Sequence, residues 1–121
     1  MLAFVVEIPR GGRGLAGGAS DRAHAGFLAD TLRADGRPLA AILWSERSAP
    51  AGAELAVRAV GLAGGGAVVC LPAAEPGDLS AGARSELERI AGEPLFGPDA
   101  AFAVVSEART RWATANVRLE E

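Results

Sequence analysis

Short apolar runs closed by glycine, proline or charged residues restrict the fold of this 121-residue chain more than any other feature. Large apolar side chains occupy alternate positions of residues 2–8, and this run ends at Pro9. A second run, residues 39–44, begins after Pro38 and ends at a serine and two charged residues. This length and these stops are typical of β-strands. We therefore predict strands at 2–8 and 39–44.

Three consecutive glycines, residues 64–66, separate two further apolar segments. Residues 54–60 and 67–71 flank this turn as the two strands of a hairpin do. The alanine content of residues 53–74 also supports a helix, which Gly61 weakens. We favour the hairpin.

Two segments have helical spacing. Ser20 or Asp21 would cap a helix that ends at Gly36 and carries one face made of His24, Phe27, Leu28, Thr31 and Leu32. Asp78 or Ser80 would cap a second helix over 80–91, closed by Gly92, with an apolar stripe made of Ala83, Leu87, Ile90 and Ala91.

The C-terminal part has two apolar segments that we predict as strands, 101–106 and 112–120. In the second of these, apolar and polar positions alternate. The predicted order is strand, helix, two or three strands, helix, strands, in one domain over residues 1–121.

Composition excludes several kinds of site. The chain has no lysine, which excludes a Schiff base and a Walker A phosphate loop. With His24 and Cys70 as its only histidine and cysteine, one chain cannot build a zinc site from Cys and His ligands. We predict no metal and no cofactor, and a buried core position for Cys70.

Charge and cysteine usage indicate the partners and the compartment. The net charge of −3 and the scattered arginines give no basic surface for nucleic acid. The apolar N-terminal run is too short for a signal peptide or a membrane span, and a lone cysteine forms no disulfide framework. We predict a cytoplasmic protein without nucleic-acid or membrane partners. Its many small apolar residues favour a homodimer.

Two glycine-containing motifs are weak evidence of a function. Residues 12–17 match G-x-G-x-x-G, but Pro9 and Arg10 separate them from the strand, whereas a dinucleotide site needs the glycines in the strand-to-helix turn. We interpret residues 11–18 as a flexible loop. Residues 6–11 resemble a short segment of soluble inorganic pyrophosphatases, a family that needs a cluster of aspartates for its metals. The five aspartates here are widely spread, so we reject this resemblance.

The only imidazole is the main catalytic candidate. On the apolar face of its predicted helix, His24 would be partly desolvated and neutral, able to accept a proton near neutral pH. The alternative is a buried histidine that donates one structural hydrogen bond. Glu93, directly after the second helix, is the candidate partner carboxylate.

Three local motifs and the element order are similar to the YCII-related domain family, a branch of the dimeric α/β-barrel superfamily with a ferredoxin-like fold. The motifs are Arg22-Ala23-His24 running into an apolar helix, Gly36-Arg37 at the end of that helix, and Glu93-Pro94-Leu95 after the second helix. This resemblance implies an α+β ferredoxin-like domain with an antiparallel sheet and two main helices. It also implies an active-site pair at His24 and Glu93, although the family has Asp at the second position.

The expected function is that of a small cofactor-independent lyase, isomerase or cyclase. His24 would transfer a proton of an organic acid, a phenol or a polyketide-like metabolite, and Glu93 would orient the imidazole. Arg22, Trp44 and Trp112 are the candidate substrate-binding residues. The alternatives are a non-catalytic binding or accessory protein of the same fold and a small nucleotide-binding α/β domain.

Overall fold

A computed structural model describes residues 2–8, 23–47, 49–75 and 77–120, and for residues 8 and 116–120 it describes the backbone only. Its elements, in chain order, are β1 (Leu2–Ile8), β2 (Ala23–Leu28), β3 (Leu39–Trp44), β4 (Glu54–Ala63), β5 (Val68–Pro72), α1 (Ala81–Ala91), β6 (Leu95–Phe96) and α2 (Pro98–Glu120).

The strands form one sheet in the order β1-β2-β3-β5-β4-β6. Antiparallel pairing of β1 with β4 closes the first five strands into a barrel, and the short β6 extends β4 outside that ring. The β3–β5 pair is parallel, whereas the other described pairs are antiparallel. The domain is therefore α+β, as predicted. The predicted ferredoxin-like sheet is wrong, because these strands form a closed barrel.

Side chains alternate between two apolar clusters along the strands. Leu39, Ala41 and Leu43 of β3 join the first cluster, which also includes Phe4 and Val6, while Ile42 and Trp44 join the second. Helix α2 contributes Ala101, Val105 and Ala108 to the first cluster, and α1 contributes Ala83 and Leu87 to the second.

Several predicted elements are confirmed. Strands occupy 2–8 and 39–44, and residues 54–63 and 68–72 form the hairpin around the three glycines. Helix α1 has Ser80 as its N-cap, whose side chain accepts a hydrogen bond from the Ala83 N–H, and Gly92 ends it in the left-handed conformation.

The predicted helix around His24 is wrong, because Ala23–Leu28 is a strand between β1 and β3. Gly26 explains the difference: a Cβ at this position would lie 2.0 Å from the backbone oxygen of Val5. Glycine inside a strand commonly marks such a close backbone approach. The helical spacing of the apolar residues was coincidental, and Gly36 lies in a turn instead of ending a helix.

The two predicted C-terminal strands are also wrong, because residues 98–120 form one helix, α2. Pro98 and Asp99 suit a helix start, where the absent N–H and the negative charge are both favourable. The buried positions Ala101, Val105 and Ala108 have helical spacing. A weak alternation of small apolar residues with polar residues indicated strands instead. No helix in the described part of the chain is long and apolar enough to cross a membrane.

Candidate functional site

His24 is fully buried in β2, and its ring is bonded to two backbone groups. Its Nδ1 lies 3.4 Å from the carbonyl oxygen of Leu43, and its Nε2 lies 3.3 Å from the backbone nitrogen of Ala49. Because the amide N–H must donate to Nε2 and the carbonyl must accept, these partners assign a neutral imidazole with its proton on Nδ1. The ring thus joins β2 to β3 and to the segment after β3.

Glu93 follows the glycine that ends α1, as predicted, and contacts the β4–β5 turn. Its Oε1 accepts a hydrogen bond from the backbone N–H of Gly65 at 2.5 Å. A Cβ at Gly64 would lie only 2.6 Å from the other carboxylate oxygen, so a side chain at this position would force the carboxylate to shift. Glu93 therefore stabilises the β4–β5 turn.

The structure does not bring His24 and Glu93 together. His24 is opposite Leu43 near the end of β3, whereas Gly65, which Glu93 contacts, lines the same cavity as Leu39 at the beginning of β3. Leu39 and Leu43 are roughly 13 Å apart along this strand. The backbone of Leu43 and Ala49 supplies the orientation of the imidazole that we predicted for Glu93. A donation from His24 to a backbone carbonyl was the expectation for a non-catalytic histidine.

The three predicted substrate-binding residues lie apart or outside the described chain. Trp44 is buried and lines a cavity of about 190 Å³ between the end of β3 and the start of α1. Trp112 is half-buried on α2. Arg22 and the glycine-rich loop 11–18 lie outside the described residues. The nucleotide-binding hypothesis therefore cannot be placed on the fold.

A different cavity, of about 350 Å³, brings together two arginines that sequence reasoning missed. Arg33 from the turn before β3 and Arg111 from α2 line it, together with Gly65, Gly66 and one carboxylate, Glu107. The arginines are 78 positions apart and belong to no motif. Only the packing of α2 against the turn before β3 shows their proximity.

The short segment 6–11 resembles a family that binds metals through aspartates, which makes the described carboxylates candidate metal ligands. Among the residues that the structure describes, no three His, Cys, Asp or Glu side chains lie close enough to hold a metal ion. The buried polar residues of this part of the chain are His24, Thr31 and Ser45, so no described carboxylate is fully buried in the barrel. A set of carboxylate ligands for Mg²⁺ is not present in this region.

Three of the described carboxylates are bonded to other groups of the protein. Asp35 pairs with Arg33 at 3.1 Å, and Glu107 pairs with Arg111 at 2.8 Å. Glu88 accepts a hydrogen bond from the backbone N–H of Leu95. These three carboxylates therefore have structural partners within the chain.

A closed five-stranded barrel with two helices defines the class of fold, and solved structures with a similar fold include inorganic pyrophosphatases. The enzyme from Thermus thermophilus is 25% identical, with a TM-score of 0.69 over 92% of this chain and 90% of that one. The enzyme from Helicobacter pylori is 20% identical, with a TM-score of 0.69 over 92% of both chains. The enzyme from Neisseria gonorrhoeae is 20% identical, with a TM-score of 0.65 over 93% of this chain and 91% of that one.

No family model and no curated protein matches the sequence. The similarity is therefore one of fold, and the resemblance to YCII-related domains stays a prediction, as do the homodimer and the cytoplasmic location.

The structural comparisons overturn the expected function. The similar structures are pyrophosphatases, so the prediction of a cofactor-independent lyase, isomerase or cyclase is wrong. The alternative of a non-catalytic binding or accessory protein stays a prediction, although the ferredoxin-like fold expected for it is wrong. The rejected resemblance of segment 6–11 is to the family of these solved structures, so the lack of clustered aspartates is no evidence against their fold. That lack concerns the chemistry of the site and leaves the barrel unaffected.

Proposed function

We propose that this chain is a pyrophosphatase-fold protein that binds a phosphate-bearing anion without hydrolysing it through a metal cluster. The observation that carries this proposal is that Arg33 and Arg111 line one cavity while no metal-binding group of carboxylates lies among the described residues. Arginine binds phosphate oxygens through paired N–H donors, which makes two convergent guanidinium groups suited to such a ligand.

The positions of the two arginines depend on contacts between α2 and the turn before β3. The N–H of Leu32 donates to the carbonyl of Ala108 at 3.0 Å, and Arg111 donates back to the carbonyl of Leu32 at 3.0 Å. Because Leu32 immediately precedes Arg33, these bonds hold both arginines at one cavity. Binding elements fixed by such contacts lose little conformational entropy when a ligand arrives.

The charge and size of the cavity also favour a small anion. Two guanidinium groups and one carboxylate, Glu107, line the cavity, while Asp35, which pairs with Arg33, is not among the lining residues. Each guanidinium carries five N–H donors, more than its described bonds use. The volume of about 350 Å³ lies at the small end of the range for ligand cavities, which suits phosphate or pyrophosphate.

The competing function is hydrolysis of pyrophosphate, favoured by the fold of the similar structures. Hydrolysis assisted by two metal ions needs carboxylates that hold the ions on both sides of the reacting phosphorus. The chain has five aspartates and no lysine, and the undescribed residues 9–22 contain one acid, Asp21. This composition supports binding over hydrolysis.

Two measurements on the full chain test the proposal. Calorimetric titration with pyrophosphate in the presence of a chelator should show binding that weakens about tenfold in Arg111→Gln and in Arg33→Gln, because each loses charged hydrogen bonds. The matched control is Arg89→Gln, an exposed arginine on α1 paired with Glu86, which should bind as the unmodified chain does.

The second measurement is phosphate release from pyrophosphate with Mg²⁺, which should equal the rate without protein. Phosphate release that exceeds this blank would establish the hydrolase instead. Equal binding by all three arginine variants would remove this cavity as the site.

A further inference from the structure

A second cavity, of about 500 Å³, lies on another side of α2 from the arginine cavity. Its floor is apolar and comes from β1 and β4 through Leu2, Val57 and Ala59. Its wall is one face of α2, at spacings of three and four, made of Phe102, Val105, Ser106 and Arg109. We call it the Phe102 groove.

Phe102 is the most unusual member of this groove, because 71% of its surface is exposed although it neighbours buried residues. Ala101 and Val105, on either side of it in the helix, are buried against the barrel. A large aromatic ring beside an apolar floor gives a ligand apolar contact on two sides. Such a surface stays partly solvated until something covers it.

Two arginines supply the charge at the edge of the groove. Arg58 is bonded through its guanidinium to the carbonyls of Glu75 and Gly77, which hold it in place. Arg109 is exposed, and among the described residues it has no hydrogen-bond or ion-pair partner. No carboxylate lines the groove in the described part of the chain. The apolar floor is therefore joined to a positive edge.

We infer that the Phe102 groove binds a small amphipathic carboxylate, with its apolar body on Phe102 and Val57 and its carboxylate at Arg109. The volume matches a ligand of small-molecule size. The positive edge of the groove favours a ligand with a negative head group. A second copy of the chain is disfavoured as the occupant, because symmetric pairing on this groove would bring its two arginines against these two. The site is separate from the anion cavity of the proposed function.

The test uses octanoate as the probe and octanol as its neutral match, each titrated into the full chain by calorimetry. Octanoate should bind at least tenfold more tightly than octanol, and Arg109→Gln should weaken octanoate about tenfold while leaving octanol unchanged. Phe102→Ala should weaken both probes. Matched controls are Arg89→Gln and Phe96→Ala, which alter an arginine and an exposed phenylalanine elsewhere and should change neither affinity.

Three outcomes would overturn the inference. Octanol that binds as tightly as octanoate would show that the arginines play no part. Octanoate affinity that is the same in Arg109→Gln and Arg89→Gln would place the probe elsewhere. A dimer that Phe102→Ala dissociates, seen by analytical ultracentrifugation without octanoate binding, would make the groove an interface between copies.

Discussion

Glu93 joins the end of α1 to the β4–β5 turn by accepting a hydrogen bond from the N–H of Gly65 at 2.5 Å. The carboxylate lies against a backbone that has no Cβ in its way at Gly64. Sequence reasoning predicted a catalytic role for Glu93. This contact gives Glu93 a structural role, because it joins α1 to the barrel.

Replacing Glu93 with alanine should lower the free energy of unfolding by about 1–2 kcal/mol, because a hydrogen bond to a charged acceptor is lost. Urea denaturation measures this change. The control Glu54→Gln removes an exposed charge on β4 and should change stability by less than about 0.5 kcal/mol. Equal stability of Glu93→Ala and the unmodified chain would contradict the structural role of this contact.

Gly64→Ala should destabilise the protein mainly through Glu93, since the new Cβ would lie 2.6 Å from a carboxylate oxygen. We expect the penalty to shrink by at least about 0.5 kcal/mol when the same change is made in Glu93→Ala, because the two positions are in contact. A double-mutant cycle by urea denaturation measures this coupling. Additive effects would show that the close approach is absent in solution.

Gly26→Ala should prevent stable folding, with a loss of about 4 kcal/mol or more, because its Cβ would overlap the backbone oxygen of Val5. Circular dichroism and urea denaturation measure the loss. The matched control is Gly82→Ala on α1, where nothing lies within 4 Å of the new Cβ. Alanine at this helical position should raise stability by about 0.5–1 kcal/mol. A Gly26→Ala protein as stable as this control would contradict the β1–β2 pairing.

His24→Leu should lower the free energy of unfolding by about 2–4 kcal/mol, because the carbonyl of Leu43 and the N–H of Ala49 would lose their described bonds to the ring in a buried place. Thermal and urea denaturation measure the change, with the exposed Ser106→Ala as the control. An unchanged stability would show that these backbone bonds do not hold the ring.

Cys70 gives a prediction about pH. Burial raises the pKa of its thiol from about 9 to about 12. The folded chain therefore keeps this proton between these values while the unfolded chain loses it, so stability is full below pH 9 and falls as pH rises toward 12, by about 1.4 kcal/mol per pH unit. The absence of lysine and tyrosine leaves few other groups that titrate in this range.

Urea denaturation at a series of alkaline pH values measures the slope, and Cys70→Ala should remove it. The thiol should also resist labelling by a disulfide reagent until the chain is denatured. Rapid labelling of the native chain would contradict its burial.

Local patterns predicted the elements in which chain geometry leaves little choice. The glycines at 64–66 and the run at 67–71 specify a hairpin, and Ser80 with Gly92 specifies both ends of α1. Alanine-rich sequence misled the prediction of secondary structure where its small residues fit both the helical period and the strand period. Residues 101–106 were predicted as a strand, although Ala101, Val105 and Ala108 form the buried stripe of a helix.

The sequence by itself determined an α+β domain, most of its strands, one helix with its caps, and the lack of lysine and of clustered acids that limits its chemistry. Only the tertiary structure decided that the strands close into a barrel, because the pairing of β1 with β4 joins segments about 50 residues apart in the chain. It also placed Arg33 beside Arg111 and separated His24 from Glu93. Distances between remote residues depend on how strands and helices pack, and no local pattern encodes that packing.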